Sequence, residues 1–166
     1  KDNVKKALRP FGGIEVQALY DRMYVLLHGA DGGQVIDILK SIFGIQSFSP
    51  AVRTRKQLED IEQAGLELVR QNFAKGKTFK VSARRGDKTF EYNSSDLNYL
   101  VGGYILKQLD GIQVNVKQPD IELLVDVRKN GVYLSTEVIK GSGGLPVGAS
   151  GKAMLMLSGG IDSPEA

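Results

Sequence analysis

The chain has 166 residues, 42% of them hydrophobic and 25% charged, with a formal net charge of +3 and no cysteine. That is ordinary globular material, enough for one domain or two small ones, and it excludes a disulfide framework, a thiolate metal site and a cysteine nucleophile within this stretch. Apolar runs reach only about five residues and no charged-then-apolar leader opens the sequence, so neither a membrane span nor a membrane partner is expected, and a cytoplasmic location is.

Residues 1–8 carry Val4, Ala7 and Leu8 at helical spacing with Lys5 and Lys6 turned outward, and Pro10 with Gly12-Gly13 ends the pattern. Ile14, Val16 and Ala18 alternate with polar residues, Asp21-Arg22 turns the chain, and residues 23–27 return as the second strand of a hairpin. His28, the single histidine, follows that strand and reads as a strand-end residue in preference to a ligand or base. Val35, Ile38, Leu39 and Ile42 form one apolar stripe on a short helix closed by Gly44, and residues 45–48 resume as a strand. The order helix, strand, strand, helix, strand is a split βαβ (ferredoxin-like) unit without its opening strand, so residues preceding Lys1 are expected in the intact protein.

Residues 49–55 are polar, basic and marked by Pro50, which predicts a boundary. Leu58, Ile61, Leu68 and Val69 mark a helix over 57–73, and Phe79, Val81 and Ala83 alternate with polar residues in a strand that runs into Arg85-Gly86-Asp87-Lys88. Ser94-Ser95-Asp96 is read as the cap of a helix striped by Leu97, Leu100, Val101, Tyr104, Ile105 and Leu109; its Gly102-Gly103 pair implies close packing or close approach of a ligand. Residues 121–127 are a nearly continuous apolar strand of the kind covered on both faces, Asn130-Gly131 marks a tight turn, and residues 132–139 return beside it.

Charge is unevenly spread. Residues 51–93 hold ten basic and six acidic side chains, against six and five before them and six and eight after. Such a density suits a polyphosphate partner such as RNA or is a solvated basic face, and charge by itself does not separate the two.

At the far end a glycine-rich linker, GSGGLPVGASGK, leads into the apolar residues 153–157 and then Ser158-Gly159-Gly160-Ile161-Asp162-Ser163. A strand that stops in Ser-Gly-Gly with a hydroxyl and a carboxylate close behind can cradle phosphate, because the glycines let backbone N–H groups turn toward an anion. A serine-glycine turn is the plainer alternative. A Walker loop fails, with Pro146 and Ala153 where glycine and Ser or Thr belong, and a dinucleotide fingerprint fails at Pro146.

FKVSARRGDKTF, the capped helix, QPDIELLVDVRKNGVYLSTEVIKGSGGLPVGASGK and LMLSGGIDSP follow one another in a succession that resembles the tRNA 4-thiouridine synthetase (tRNA sulfurtransferase) family. The resemblance implies an α+β chain: a truncated ferredoxin-like domain over 1–50, an α/β THUMP RNA-binding domain over 51–150, and over 151–166 the opening strand and loop of a PP-loop ATP pyrophosphatase domain.

It also implies the chemistry. In that family ATP adenylates uridine 8 of tRNA and a cysteine persulfide displaces AMP, leaving 4-thiouridine; the enzyme can also supply sulfur for the thiazole of thiamine. Carried over by motif, Ser158, Gly159, Gly160 and Ser163 would hold ATP phosphates, and Met156 and Leu157 would touch the nucleotide through their backbone. Asp162 would act through Mg2+ or orient the leaving pyrophosphate. The THUMP part is expected to hold the tRNA acceptor region with Arg84, Arg85 and Lys88, joined by Arg53, Arg55 and Lys56 at the domain junction. A cysteine desulfurase or other persulfide donor is the implied protein partner, with a homodimer as a further expectation. The family's cysteines have no counterpart in this sequence, so this stretch alone is expected to bind RNA and catalyse nothing. Two alternatives stay open: a THUMP module serving a methyltransferase or pseudouridine synthase, and an ATP pyrophosphatase acting on a small substrate.

Overall fold

Val16 and Val25 are direct partners in an antiparallel hairpin of β1 (Glu15–Leu19) and β2 (Arg22–Leu26), and side chains two apart share a sheet face. Against that face lie Val4 and Leu8 from and just beyond α1 (Asp2–Ala7), and Val35 and Leu39 from α2 (Gly32–Ser41). Asp31 caps α2 by accepting a hydrogen bond of 2.8 Å from the Gly33 N–H. These features come from a computed structural model, which describes residues 2–19 and 22–144.

The described residues divide into two compact units, one of residues up to 48 together with 140–144, the other of residues 49–139. β3 (Ser47–Phe48) pairs with β9 (Ile139–Lys140) and not with the hairpin. Residues 141–144, expected to be linker, are fastened down. Gly141 N–H donates to Gln46 O, Gly143 N–H to Ile45 O and Gly44 N–H to Gly143 O, and the Ser142 hydroxyl donates to Lys40 O. The remaining residues of the anticipated linker and PP-loop, 145–166, lie outside the described residues.

The second unit is a five-stranded sheet with two helices on one face. Its strands are β4 (Val52–Thr54), β5 (Thr78–Arg85), β6 (Gln113–Val114), β7 (Ile121–Arg128) and β8 (Gly131–Ser135), ordered β4-β8-β7-β5-β6. β8 runs antiparallel to β4 and β7, while β5 runs parallel to β7 and β6. Ile61, Leu66 and Val69 of α3 (Leu58–Asn72), with Leu97, Val101 and Ile105 of α4 (Ser94–Gln108), pack on Phe79, Leu123, Val125, Val127, Val132 and Leu134. All of these are buried.

Several expectations change. Residues 52–54, read as part of a boundary, form an edge strand of the sheet. β7 is not covered equally on both faces: Ile121, Leu123, Val125 and Val127 are buried while Glu122, Leu124, Asp126 and Arg128 between them are not, because the helices lie on one side only. The glycine pair of α4 does not mark tight packing, since a β-carbon on Gly102 would make only ordinary contact with Val81 and one on Gly103 would meet open space. The tight helical glycine is Gly65, whose β-carbon would come 2.9 Å from Leu123 Cδ2. The cap of α4 is Asn93, one residue before the serines, in a reciprocal box with Asp96. Among the described residues no helix is long and apolar enough to cross a membrane.

Candidate nucleic-acid interface

Strand direction decides what gathers at the end of this sheet. β4, β5 and β7 all point the same way, so their C-terminal ends meet at one edge together with the hairpin tip that joins β7 to β8. Thr54, Val132, Val127 and Arg85 lie in one row across four strands. The row before it is Arg53, Tyr133, Asp126 and Arg84. Beyond these rows come Arg55 and Lys56 from β4, Gly86 to Lys88 from β5, and Lys129 with Asn130 at the hairpin tip.

All six cations predicted to bind RNA therefore sit at one end of the sheet, although 31 residues separate Lys56 from Asp87. Two further basic residues stand with them, Arg128 and Lys129, neither of which the sequence singled out. Their place at the end of an apolar strand is visible in the sequence; that this strand runs parallel to β5, and so carries them to the same edge, is not.

The cations are not equally available. Arg84 and Lys88 are exposed, and Arg85 is half-buried with Nη1 3.4 Å from the Phe90 carbonyl. Arg55 donates from Nε to Asp60 at 2.7 Å and from Nη2 at 3.1 Å; the bond to Asp60 raises its pKa further, so it is always charged but already engaged. Arg128 Nε donates to Asp126 at 2.9 Å. Arg53 donates from Nη2 to the Asn130 carbonyl at 2.5 Å, which lays its guanidinium against the hairpin tip. Between them, residues 53–56 and 129–131 line an open cavity of about 380 Å³.

Asp87 stands apart as a buried carboxylate in this basic neighbourhood, its side chain 3% exposed. Oδ1 accepts from Thr89 N–H at 3.0 Å and from the Thr89 hydroxyl at 2.6 Å, and Oδ2 accepts from Lys56 Nζ at 2.9 Å. The Thr89 hydroxyl first, and then Lys56, hold its pKa well below the usual carboxylate range. The N–H groups of Gly86 and Asp87 both donate to the Val127 carbonyl, at 2.9 and 3.2 Å. Chemically, the arrangement is a set of cations, some engaged and some exposed, around an open groove, and it is suited to binding phosphates.

The predicted nucleotide residues Met156, Leu157, Ser158, Gly159, Gly160, Asp162 and Ser163 lie outside the described residues. Residues 1–49 match the family model of the ThiI ferredoxin-like domain and residues 55–137 that of the THUMP domain. A Levilactobacillus brevis protein named "Probable tRNA sulfurtransferase" is 55% identical over 164 residues, 99% of this chain and 40% of that protein. Among solved structures, a 4-thiouridine synthetase in complex with RNA and bound ATP is 34% identical with a TM-score of 0.83, covering 99% of this chain and 42% of that one. PH1313 from Pyrococcus horikoshii Ot3 is 29% identical with a TM-score of 0.76, covering 89% and 51%. The chain thus spans about two-fifths of the length of the curated relatives it matches.

Proposed function

Since the chain belongs to the THUMP domain family and, with a ThiI ferredoxin-like domain ahead of it, to the tRNA sulfurtransferases, we propose that it is the tRNA-binding portion of an ATP-dependent uridine sulfurtransferase. The parent enzyme adenylates uridine 8 of tRNA and exchanges its oxygen for persulfide sulfur, giving 4-thiouridine. The observation that carries the RNA-binding half of this reading is the parallel run of β4, β5 and β7, which collects Arg53, Arg55, Lys56, Arg84, Arg85, Lys88 and Lys129 at one sheet end.

Cations at that end neutralise backbone phosphates of the acceptor region, and in doing so fix where the folded RNA lies. Arg53, held on the Asn130 carbonyl, presents its remaining N–H groups as a preset fork, while Lys88 and Lys129 supply mobile point charges. The nucleotide chemistry falls to the following segment, where Ser158, Gly159, Gly160 and Ser163 are assigned to ATP phosphates, Met156 and Leu157 to backbone contacts with the nucleotide, and Asp162 to Mg2+ or the leaving pyrophosphate. The sulfur arrives from a persulfide donor protein.

Filter binding of an unmodified tRNA transcript and an unrelated RNA, each across a salt series, tests the reading. Phosphate-dominated binding weakens steeply with salt, and Arg84→Ala/Arg85→Ala is expected to bind less tightly with a shallower slope. A flat salt response, or equal binding by the parent and the double variant, would remove the RNA assignment.

A further inference from the structure

We propose that Asp87, an acid at the centre of a cationic surface, is a positioning residue for RNA binding: it locks the basic segments 53–56 and 84–88 into one fixed array on which the phosphates land. This inference rests on the RNA-binding reading above. β4 and β5 are three strand spacings apart, about 14 Å, with β8 and β7 between them. Lys56 and Asp87 close that distance, because the chain leaving β4 and the turn leaving β5 meet over the ends of the intervening strands.

Both oxygens of the Asp87 carboxylate are committed. Thr89 fills Oδ1 twice, Lys56 takes Oδ2, and the Gly86 and Asp87 amides grip the Val127 carbonyl. The turn that carries Lys88, and the strand end that carries Arg84, are thereby tied to β7 on one side and to the Arg53–Lys56 segment on the other. A surface already held in its bound arrangement spends less of its attraction on ordering loops and side chains. Burial also directs the negative charge of Asp87 at Lys56 and away from an approaching phosphate.

A charge count and this inference predict opposite signs. Asp87→Asn makes the full chain one unit more positive, so if attraction alone mattered it would bind an unmodified tRNA transcript more tightly. We expect it to bind about tenfold more weakly, with a shallower dependence on salt because fewer phosphates are met at once. Thr89→Ala changes no charge, removes one bond to Oδ1, and is expected to weaken binding about threefold, with Thr89→Ser restoring it. Leu123→Ala, destabilised from the core, controls for lost stability and should leave the salt slope of its folded fraction unchanged.

Equal or tighter binding by Asp87→Asn with native near-ultraviolet circular dichroism would overturn the inference and leave the RNA reading standing. If Asp87→Asn does not fold, Thr89→Ala decides in the same way, since unchanged affinity there also overturns it. Loss of binding by the unaltered chain removes both readings.

Discussion

Gly141 lies so close to Ile45 that a β-carbon built on it would overlap the Ile45 carbonyl oxygen. The Gly141 N–H donates to Gln46 O at 3.0 Å, and two residues on Gly143 N–H donates to Ile45 O at 2.8 Å. Gly141 serves close approach of two backbones, and Gly143, at φ +62°, a left-handed turn of the chain. Gly141→Ala is therefore expected to expel residues 141–143 from residues 44–46 and to cost about 1 to 3 kcal/mol. Hydrogen exchange checks it: the Gly141 and Gly143 amides should lose protection, while amides of β5 and β7 keep theirs. Retained protection at Gly143 would contradict the packing described.

That segment also marks what sequence pattern could and could not supply. Helices α2, α3 and α4 and the β1–β2 hairpin were legible because a period of 3.6 or 2 is written into Val35, Leu39, Ile61, Val69, Leu97, Val101, Val16 and Val25. A packed glycine and a flexible one look alike in sequence, so residues 141–144 read as linker. β4 was lost to a neighbouring proline and to exposed Val52 and Arg53, and β6 is two residues long, too short for any period. The candidate site was legible by charge and by residue, but not as a place. Parallel order among β4, β5 and β7 is a long-range property, and it alone brings Lys129 to Arg84 and Lys56 to Asp87.

The ionisation of Asp87 predicts how this unit responds to acid. Its folded pKa is depressed by Thr89 and Lys56, so it contributes stability that is present above the unfolded value of about 3.9 and is lost as pH falls from there toward the lower folded value. Asp87→Asn should melt below the parent at neutral pH. The gap should narrow as the pH is lowered through about 4, because the unfolded parent then gains a proton at Asp87 that the folded carboxylate, held in its charged form, does not take up. Thermal midpoints of both proteins from pH 7 to pH 3 test this. A gap that widens toward acid would show that Asp87 is not held as its charged form.

Two glycines separate backbone need from backbone tolerance. Gly131 has φ +147°, and a β-carbon there would sit 3.0 Å from both Arg53 Nε and the Thr54 carbonyl oxygen. Gly131→Ala is expected to cost about 1 to 3 kcal/mol and to displace the Arg53 guanidinium from Asn130, weakening tRNA binding as well. Gly103 lies within α4 with open space around it, so Gly103→Ala should stabilise by about 1 kcal/mol and leave binding alone. Chemical denaturation of both variants, with tRNA titration of the folded proteins, gives the comparison. Matching effects from the two would mean that the crowding at Gly131 is not real.

Asp60 holds Arg55 in a two-bond fork at the sheet end, where it competes with any phosphate for the same N–H groups. Arg55 is 75% exposed on its side chain, and ion pairs in such surroundings are weakened by water and salt and add little to stability. Asp60→Asn should therefore leave the melting temperature close to that of the parent. Its effect belongs in binding, since removal of the competing carboxylate frees the guanidinium and takes a negative charge from the surface. Tighter tRNA binding at low salt is expected, with the slope of log affinity against log salt steeper by about 0.7 to 0.9 if Arg55 gains one phosphate. Parallel titrations at several salt concentrations distinguish this from a change in net charge alone: a slope equal to the parent's would place Arg55 outside the RNA contact and leave Arg53, Arg84, Lys88 and Lys129 as the cations that carry it.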